Sequence, residues 1–268
     1  MKNLTDWFGL SKIPFGKDLN PQDFFDYPQL TELHQNLALT VSTGTGMLIT
    51  GDAGTGKTTA VRGYVMQLPV NKYRTIYLGN DQEGGALFTR IGMELGVKVS
   101  MGRSQRMIQL NQHIRRNVAG SGKQLVLVID EAHLMDGRTL EEIRLLTNSE
   151  MDTRTDVILI VLGQLWLRNK LKHHGHGALY QRLRFRYGMG GLSKQQTKAY
   201  IQHHLALCGC KKELLTNDAY DHLFMASGGI LREINNLMVD ALLKAFNQKK
   251  HRLDEEIIRM VVLQRDSS

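Results

Sequence analysis

Two unbroken apolar runs, LVLVI at 125–129 and VILIVL at 157–162, stand out in a chain whose hydrophobic positions are otherwise interrupted. Neither is long enough to cross a bilayer and neither alternates with polar residues. Each therefore predicts a strand, and the first run has the composition of one buried on both faces of a parallel sheet. Met47–Leu48–Ile49 is a shorter run of the same kind. In ALYQRLRFRYG, residues 178–188, apolar positions alternate with Arg182, Arg184 and Arg186, which predicts a strand over Leu183–Tyr187. A strand through all three arginines would point them the same way, whereas a helix would bring only Arg182 and Arg186 together.

Beyond Gly190–Gly191 the period becomes helical. Ser193-x-x-Gln196 is a capping box that opens a helix through Leu207, and Thr216 and Asp254 are caps for two more. Between these, apolar residues at 231, 234, 238, 242 and 246 predict an amphipathic helix. Strands first and helices last imply an α/β fold: a parallel-sheet αβα domain followed by a small all-helical one.

The 268 residues suffice for a large domain with a small partner, and 42% hydrophobic with 22% charged residues fits a globular protein. The two cysteines, Cys208 and Cys210, cannot build a disulfide framework, and the opening MKNLTDWFGLSKIPFG lacks the apolar core of a signal peptide. A soluble, cytoplasmic protein with no membrane partner is expected. The histidines of HHGH at 173–176, and His203, His204, Cys208 and Cys210, lack matched ligand partners, so no structural metal is expected.

Charge adds a partner class. The formal net charge is +8, and Val157–Cys210 contains no aspartate or glutamate but eight lysines and arginines. Either a polyanionic partner or a solvated basic face follows.

The sharpest chemistry is GDAGTGKTT, Gly51–Thr59, between the first apolar run and a helix-forming stretch. Gly51, Gly54 and Gly56 permit the backbone turns that aim successive N–H groups at phosphate oxygens, and the helix that follows presents its positive end to the same anion. In a G-x-x-x-x-G-K-T phosphate loop, Lys57 serves the β- and γ-phosphates and the Thr58 hydroxyl binds magnesium. The loop residues Asp52, Ala53, Thr55 and Thr59 complete the nucleotide-binding set. ATP and Mg2+ are the expected cofactors.

The 125–129 run ends in Asp130 and Glu131, at the carboxyl edge where parallel sheets bind ligands. Asp130 would organise the magnesium shell, and Glu131 would accept a proton from the attacking water. The glutamate makes hydrolysis the expectation, beyond nucleotide binding. Gln164, closing the 157–162 strand after Gly163, is placed to meet that water or the γ-phosphate.

Phosphate loop, D-E strand, polar strand end and late arginines, in this order, resemble the AAA+ ATPases. The opening WFGLSKIPFGKDLNPQDFFDYPQLTELHQNL, DEAHLMDGRTLEEIRLLTN and VLGQLWL resemble the ExeA-type branch, which includes the TnsC-, TniB- and MuB-like DNA-transposition helpers. The resemblance implies Walker A over Gly51–Thr58, Walker B at Asp130 and Glu131, and sensor 1 at Gln164. It implies sensor 2 at Arg232, in G-x-x-R, and a trans-acting arginine at Arg182, with Arg184 and Arg186 as weaker matches. It also implies an AAA+ domain over 1–191, whose segment 1–45 supplies the adenine pocket, and a helical lid over 192–268.

By the same resemblance Lys98, Arg103 and Arg106, in an acid-free stretch, are expected to contact DNA phosphates with little sequence preference. The function implied is an ATP-dependent regulator of DNA transposition. It would oligomerise on duplex DNA as a hexameric ring or helical filament and recruit or activate a transposase. An ExeA-like ATPase of secretion or envelope assembly, and a replication loader or initiator, are the alternatives. The chain's end just after the lid, and its basic balance, are expected to weigh against the secretion reading.

Overall fold

The structure, a computed structural model, describes residues 4–16, 19–79, 84–98, 100, 102–147, 156–173 and 175–266. The chain divides into two compact units, Gln29–Ala53 with Lys57–Met189, and Met1–Pro28 with Gly54–Gly56 and Gly190–Ser268.

The first unit is built on five strands: β1 (Met47–Thr50), β2 (Tyr73–Leu78), β3 (Gln124–Ile129), β4 (Val157–Gly163) and β5 (Phe185–Gly188). They form one sheet in the order β2-β3-β4-β1-β5, with every pairing parallel. The two uninterrupted apolar runs lie in β3 and β4, near the middle, and β1 and β4 are buried along their whole length. The edge strands β2 and β5 alternate in exposure, as sheet margins do when only one face is well covered. Burying each central valine, leucine or isoleucine contributes about 1.5–3 kcal/mol, so the order of strands follows from where the apolar residues are densest.

The register aligns the carboxyl ends of the strands. Thr50 pairs with Gly163, and Ile129 pairs with Leu78 on one side and Val161 on the other. The phosphate loop, Asp130–Glu131 and Gln164 therefore leave the sheet at one edge.

The final arginines depart from the expected strand. The helix Gly177–Arg182 ends at Arg182, buried Leu183 follows it, and β5 begins only at Phe185. Arg184 thus precedes the strand, although Leu183–Tyr187 was the span expected. The alternation was misleading because Leu183 closes the helix, its N–H donating to Leu179 O at 3.1 Å, before extended structure begins. Arg186 does lie in β5. Its guanidinium stacks 4.0 Å from the Tyr180 ring and donates to Tyr180 O at 3.0 Å.

The second unit holds the helices Lys194–Leu207, Asn217–Ser227, Leu231–Asn247 and Glu255–Asp266. Ser193 and Gln196 form the reciprocal capping box, and Thr216 and Asp254 accept from the N–H groups of Ala219 and Ile257. Ile234, Met238 and Leu242 are buried along Leu231–Asn247, the face that the apolar spacing marks out. Residues 1–28 belong to this unit, whereas the sequence had suggested a place with the sheet. Trp7 explains the difference: its indole N–H donates to Lys250 O at 3.1 Å and its ring stacks on His251 at 4.1 Å. The Ser11 N–H adds a bond to Cys208 O at 2.8 Å.

Candidate nucleotide site

Gly51–Gly56 runs from β1 to the helix Lys57–Val65. Gly54 and Gly56 hold φ of 86° and 91°, values that a side chain would strain. Buried Lys57 donates from Nζ to the carbonyls of Gly51 (2.8 Å) and Asp52 (2.7 Å). A lysine held this way sits over the loop's own backbone, at the start of a helix whose free N–H groups favour an anion. Thr55 is buried, while Asp52, Ala53, Thr58 and Thr59 are exposed.

The Thr58 hydroxyl donates to Asp130 Oδ2 at 2.5 Å, bringing the loop and the end of β3 together. A hydroxyl beside a carboxylate is an all-oxygen donor set, the kind a hard divalent cation such as Mg2+ prefers. The residues present therefore fit the expected nucleotide and metal.

Tyr77, which belongs to no motif in the sequence, also donates to Asp130 Oδ2, at 2.7 Å. Burial first, and then the hydrogen bond to the Asp130 carboxylate, push its pKa well above the ordinary tyrosine value, so it remains a hydroxyl donor. Its place in the site depends on β2 pairing beside β3, Tyr77 opposite Val128, and no local motif announces that pairing.

Glu131 adopts φ 53° and ψ 30°, a left-handed conformation that is uncommon outside glycine. Its N–H donates to Asp130 Oδ1 at 2.7 Å, and its carbonyl accepts from Leu134 N–H at 2.9 Å. The turn Ala132–Leu134 follows, and it buries His133 within 3.5 Å of a Glu131 carboxylate oxygen. His133 was visible in DEAH but carries no signal of its role until the neighbouring strand is in place. Gln164, half-buried, follows Gly163, whose carbonyl accepts from Gly51 N–H at 3.2 Å. The end of β4 thus joins the start of the phosphate loop.

Arg232 is exposed in the first turn of Leu231–Asn247, and its N–H donates to Gly54 O at 3.1 Å. A Cβ on Gly54 would lie 2.7 Å from that of Arg232, so this approach, as well as the positive φ, requires glycine. Arg182 lies at the other edge of the sheet. Its carbonyl is 2.9 Å from where a Cβ of Gly46 would stand, just before β1, while the phosphate loop starts after β1 ends. A four-residue strand separates the two by about 13 Å.

Of the expected DNA contacts, Lys98 is exposed, and Arg106 is half-buried with Nε donating to Ser100 O at 3.2 Å. Arg103 opens the helix Arg103–Ser121, and its side chain lies outside the described residues. Among the described residues no helix is long and apolar enough to cross a membrane.

A family model described as "AAA domain" matches residues 40–171. General secretion pathway protein A of Aeromonas hydrophila is 33% identical over 253 residues, covering 93% of this chain but 46% of that protein. The chain therefore spans about half the length of that relative. Among solved structures, Cdc6p of Pyrobaculum aerophilum aligns with a TM-score of 0.75 at 14% identity, over 92% of this chain and 69% of that one. The ORC1 protein of Aeropyrum pernix in complex with DNA aligns at 0.68 and 14%, over 90% and 66%.

Proposed function

We propose, from the match of residues 40–171 to the AAA domain model and from the AAA+ P-loop ATPase fold, that the chain hydrolyses ATP at a site completed by a second copy and couples turnover to binding duplex DNA. The observation that carries the reading is the Thr58–Asp130 hydroxyl–carboxylate pair, with Glu131 anchored beside it. Bound Mg-ATP supplies the electrophilic γ-phosphorus and neutralises phosphate charge. Lys57 and the loop's N–H groups beyond Gly51, whose own N–H is taken by Gly163 O, would bind the phosphates, and Thr58 and Asp130 would hold the metal. Glu131 takes the proton of the attacking water, and Gln164 orients that water.

The Arg182 backbone lies beside the start of β1, a strand's length from its own chain's loop, which favours action on a neighbour's nucleotide, where a cation stabilises charge on the transferring phosphoryl group. Lys98, Arg103 and Arg106 supply sequence-independent phosphate contacts. A DNA-bound relative of the same fold supports that role. Regulation of DNA transposition in the cytoplasm, with a transposase as partner, is the setting we propose.

A second reading, an ATPase serving secretion, is favoured by the 33% identity to General secretion pathway protein A over nearly the whole chain. The two differ in their response to DNA. ATPase rate and electron micrographs of protein with ATP, with and without duplex DNA, distinguish them. DNA-dependent ordered oligomers with faster turnover are expected. Failure both to assemble on DNA and to be retained on it at low salt would overturn the DNA reading in favour of secretion.

A further inference from the structure

His133 is 3% exposed, and the polar groups around it determine which ring nitrogen carries the proton. Nδ1 faces the backbone N–H of Gln164 at 3.4 Å. A backbone N–H can only donate, so Nδ1 must offer its lone pair, and the proton of the neutral ring stands on Nε2. Nε2 is the atom that lies 3.5 Å from Glu131 Oε2. Burial foremost, aided by the charges of Lys57 and Lys170, lowers the His133 pKa against the opposing pull of Glu131 and Asp130. The ring is thereby kept as a neutral donor.

The surroundings fix the ring as well as its tautomer. Trp166 meets it edge-on at 5.1 Å. Lys170 Nζ donates to the carbonyl of His133 at 3.0 Å and also to that of Met135. On the far side, a Cβ at Gly163 would stand 2.4 Å from Leu167 Cδ2 and 3.4 Å from the His133 backbone nitrogen, so the end of β4 lies in contact distance of this turn.

We propose that His133 is a positioning residue for ATP hydrolysis, its Nε2–H orienting one oxygen of Glu131 while its Nδ1 ties that carboxylate to the end of β4 at Gln164. A neutral donor orients a carboxylate without adding the positive charge that would depress its basicity, and it leaves the second oxygen for water. Because Gly163 also accepts from Gly51, the same strand end touches the phosphate loop and, through His133, the glutamate. This inference rests on the reading of Glu131 as the group that activates water.

The test compares His133→Gln with His133→Asn in the full chain, with Glu131→Gln as reference. A glutamine amide reaches the Nε2 position and an asparagine amide reaches only that of Nδ1. His133→Asn is expected to lower kcat about 10-fold or more, with ATP KM and the affinity for a fluorescent ATP analogue within about twofold of wild type. His133→Gln is expected to keep kcat within about threefold. Equal kcat in the two variants, or analogue affinity falling in step with kcat, overturns the proposal. Wild-type turnover by Glu131→Gln overturns the Glu131 reading itself, whichever way the His133 pair behaves.

Discussion

Thr58 Oγ1 donates to Asp130 Oδ2 at 2.5 Å across 72 positions of sequence, and the same carboxylate oxygen receives the Tyr77 hydroxyl at 2.7 Å. Asp130 is held from two directions, by the phosphate-loop helix and by the edge strand. On the proposed reading the neighbouring residues Lys57 and Glu131 serve binding and chemistry respectively. Lys57→Ala removes the buried ammonium at the loop and should abolish binding of a fluorescent ATP analogue. Glu131→Gln should bind the analogue normally while phosphate release falls by about 10²-fold or more. Loss of binding in Glu131→Gln would place the glutamate in nucleotide recognition instead.

The Arg182 backbone lies beside the start of β1, a strand's length from its own phosphate loop, so on the proposed reading its removal should act between copies. Arg182→Ala should lower turnover of the assembled protein by about 10³-fold, without altering nucleotide binding by dilute protein. Mixing it with Glu131→Gln should restore activity, because the Glu131→Gln copies contribute Arg182 to sites that retain Glu131. Normal turnover by assembled Arg182→Ala would remove the arginine from this role and point to Arg184 or Arg186.

Removal of Lys98 or of Arg106 should weaken duplex DNA binding without changing sequence preference. Alanine at either position should reduce the slope of log affinity against log salt by about one. Fluorescence anisotropy across a salt series reads this directly. An unchanged slope would show that these cations only solvate the surface.

His204 gives the fold a pH limit. Its ring stacks on Phe15 at 5.1 Å and lies 4.4 Å from that of Tyr200, and burial pushes its pKa down to about 4. The unfolded chain takes up this proton near pH 6.5, so the contribution is whole above that pH and is lost as pH falls towards 4. The cost at pH 5 is about 2 kcal/mol. Denaturant unfolding at pH 7.5 and pH 5 should show His204→Phe losing about 2 kcal/mol less than wild type over that interval. Equal losses would exclude His204 as the source.

Motifs that are contiguous were legible. The phosphate loop, Asp130–Glu131, the two long apolar runs and the capping box each depend on neighbours within a few residues, where backbone geometry and local hydrogen bonds act. Arg184 shows where this fails: alternation alone could not reveal that buried Leu183 closes a helix before β5 starts. Trp7 shows the same limit at longer range, since its partners Lys250 and His251 lie at the far end of the chain.

By itself, the sequence determined the fold class and the chemical inventory of the site, because apolar runs and glycine spacing constrain backbone conformation locally. Tertiary structure decided which groups act on which. Parallel pairing set Tyr77 beside Asp130, and aligned strand ends brought Gln164 to His133. Such contacts arise when strands distant in sequence share one edge of a sheet. That placement is fixed by burial of the whole core, and no single segment records it.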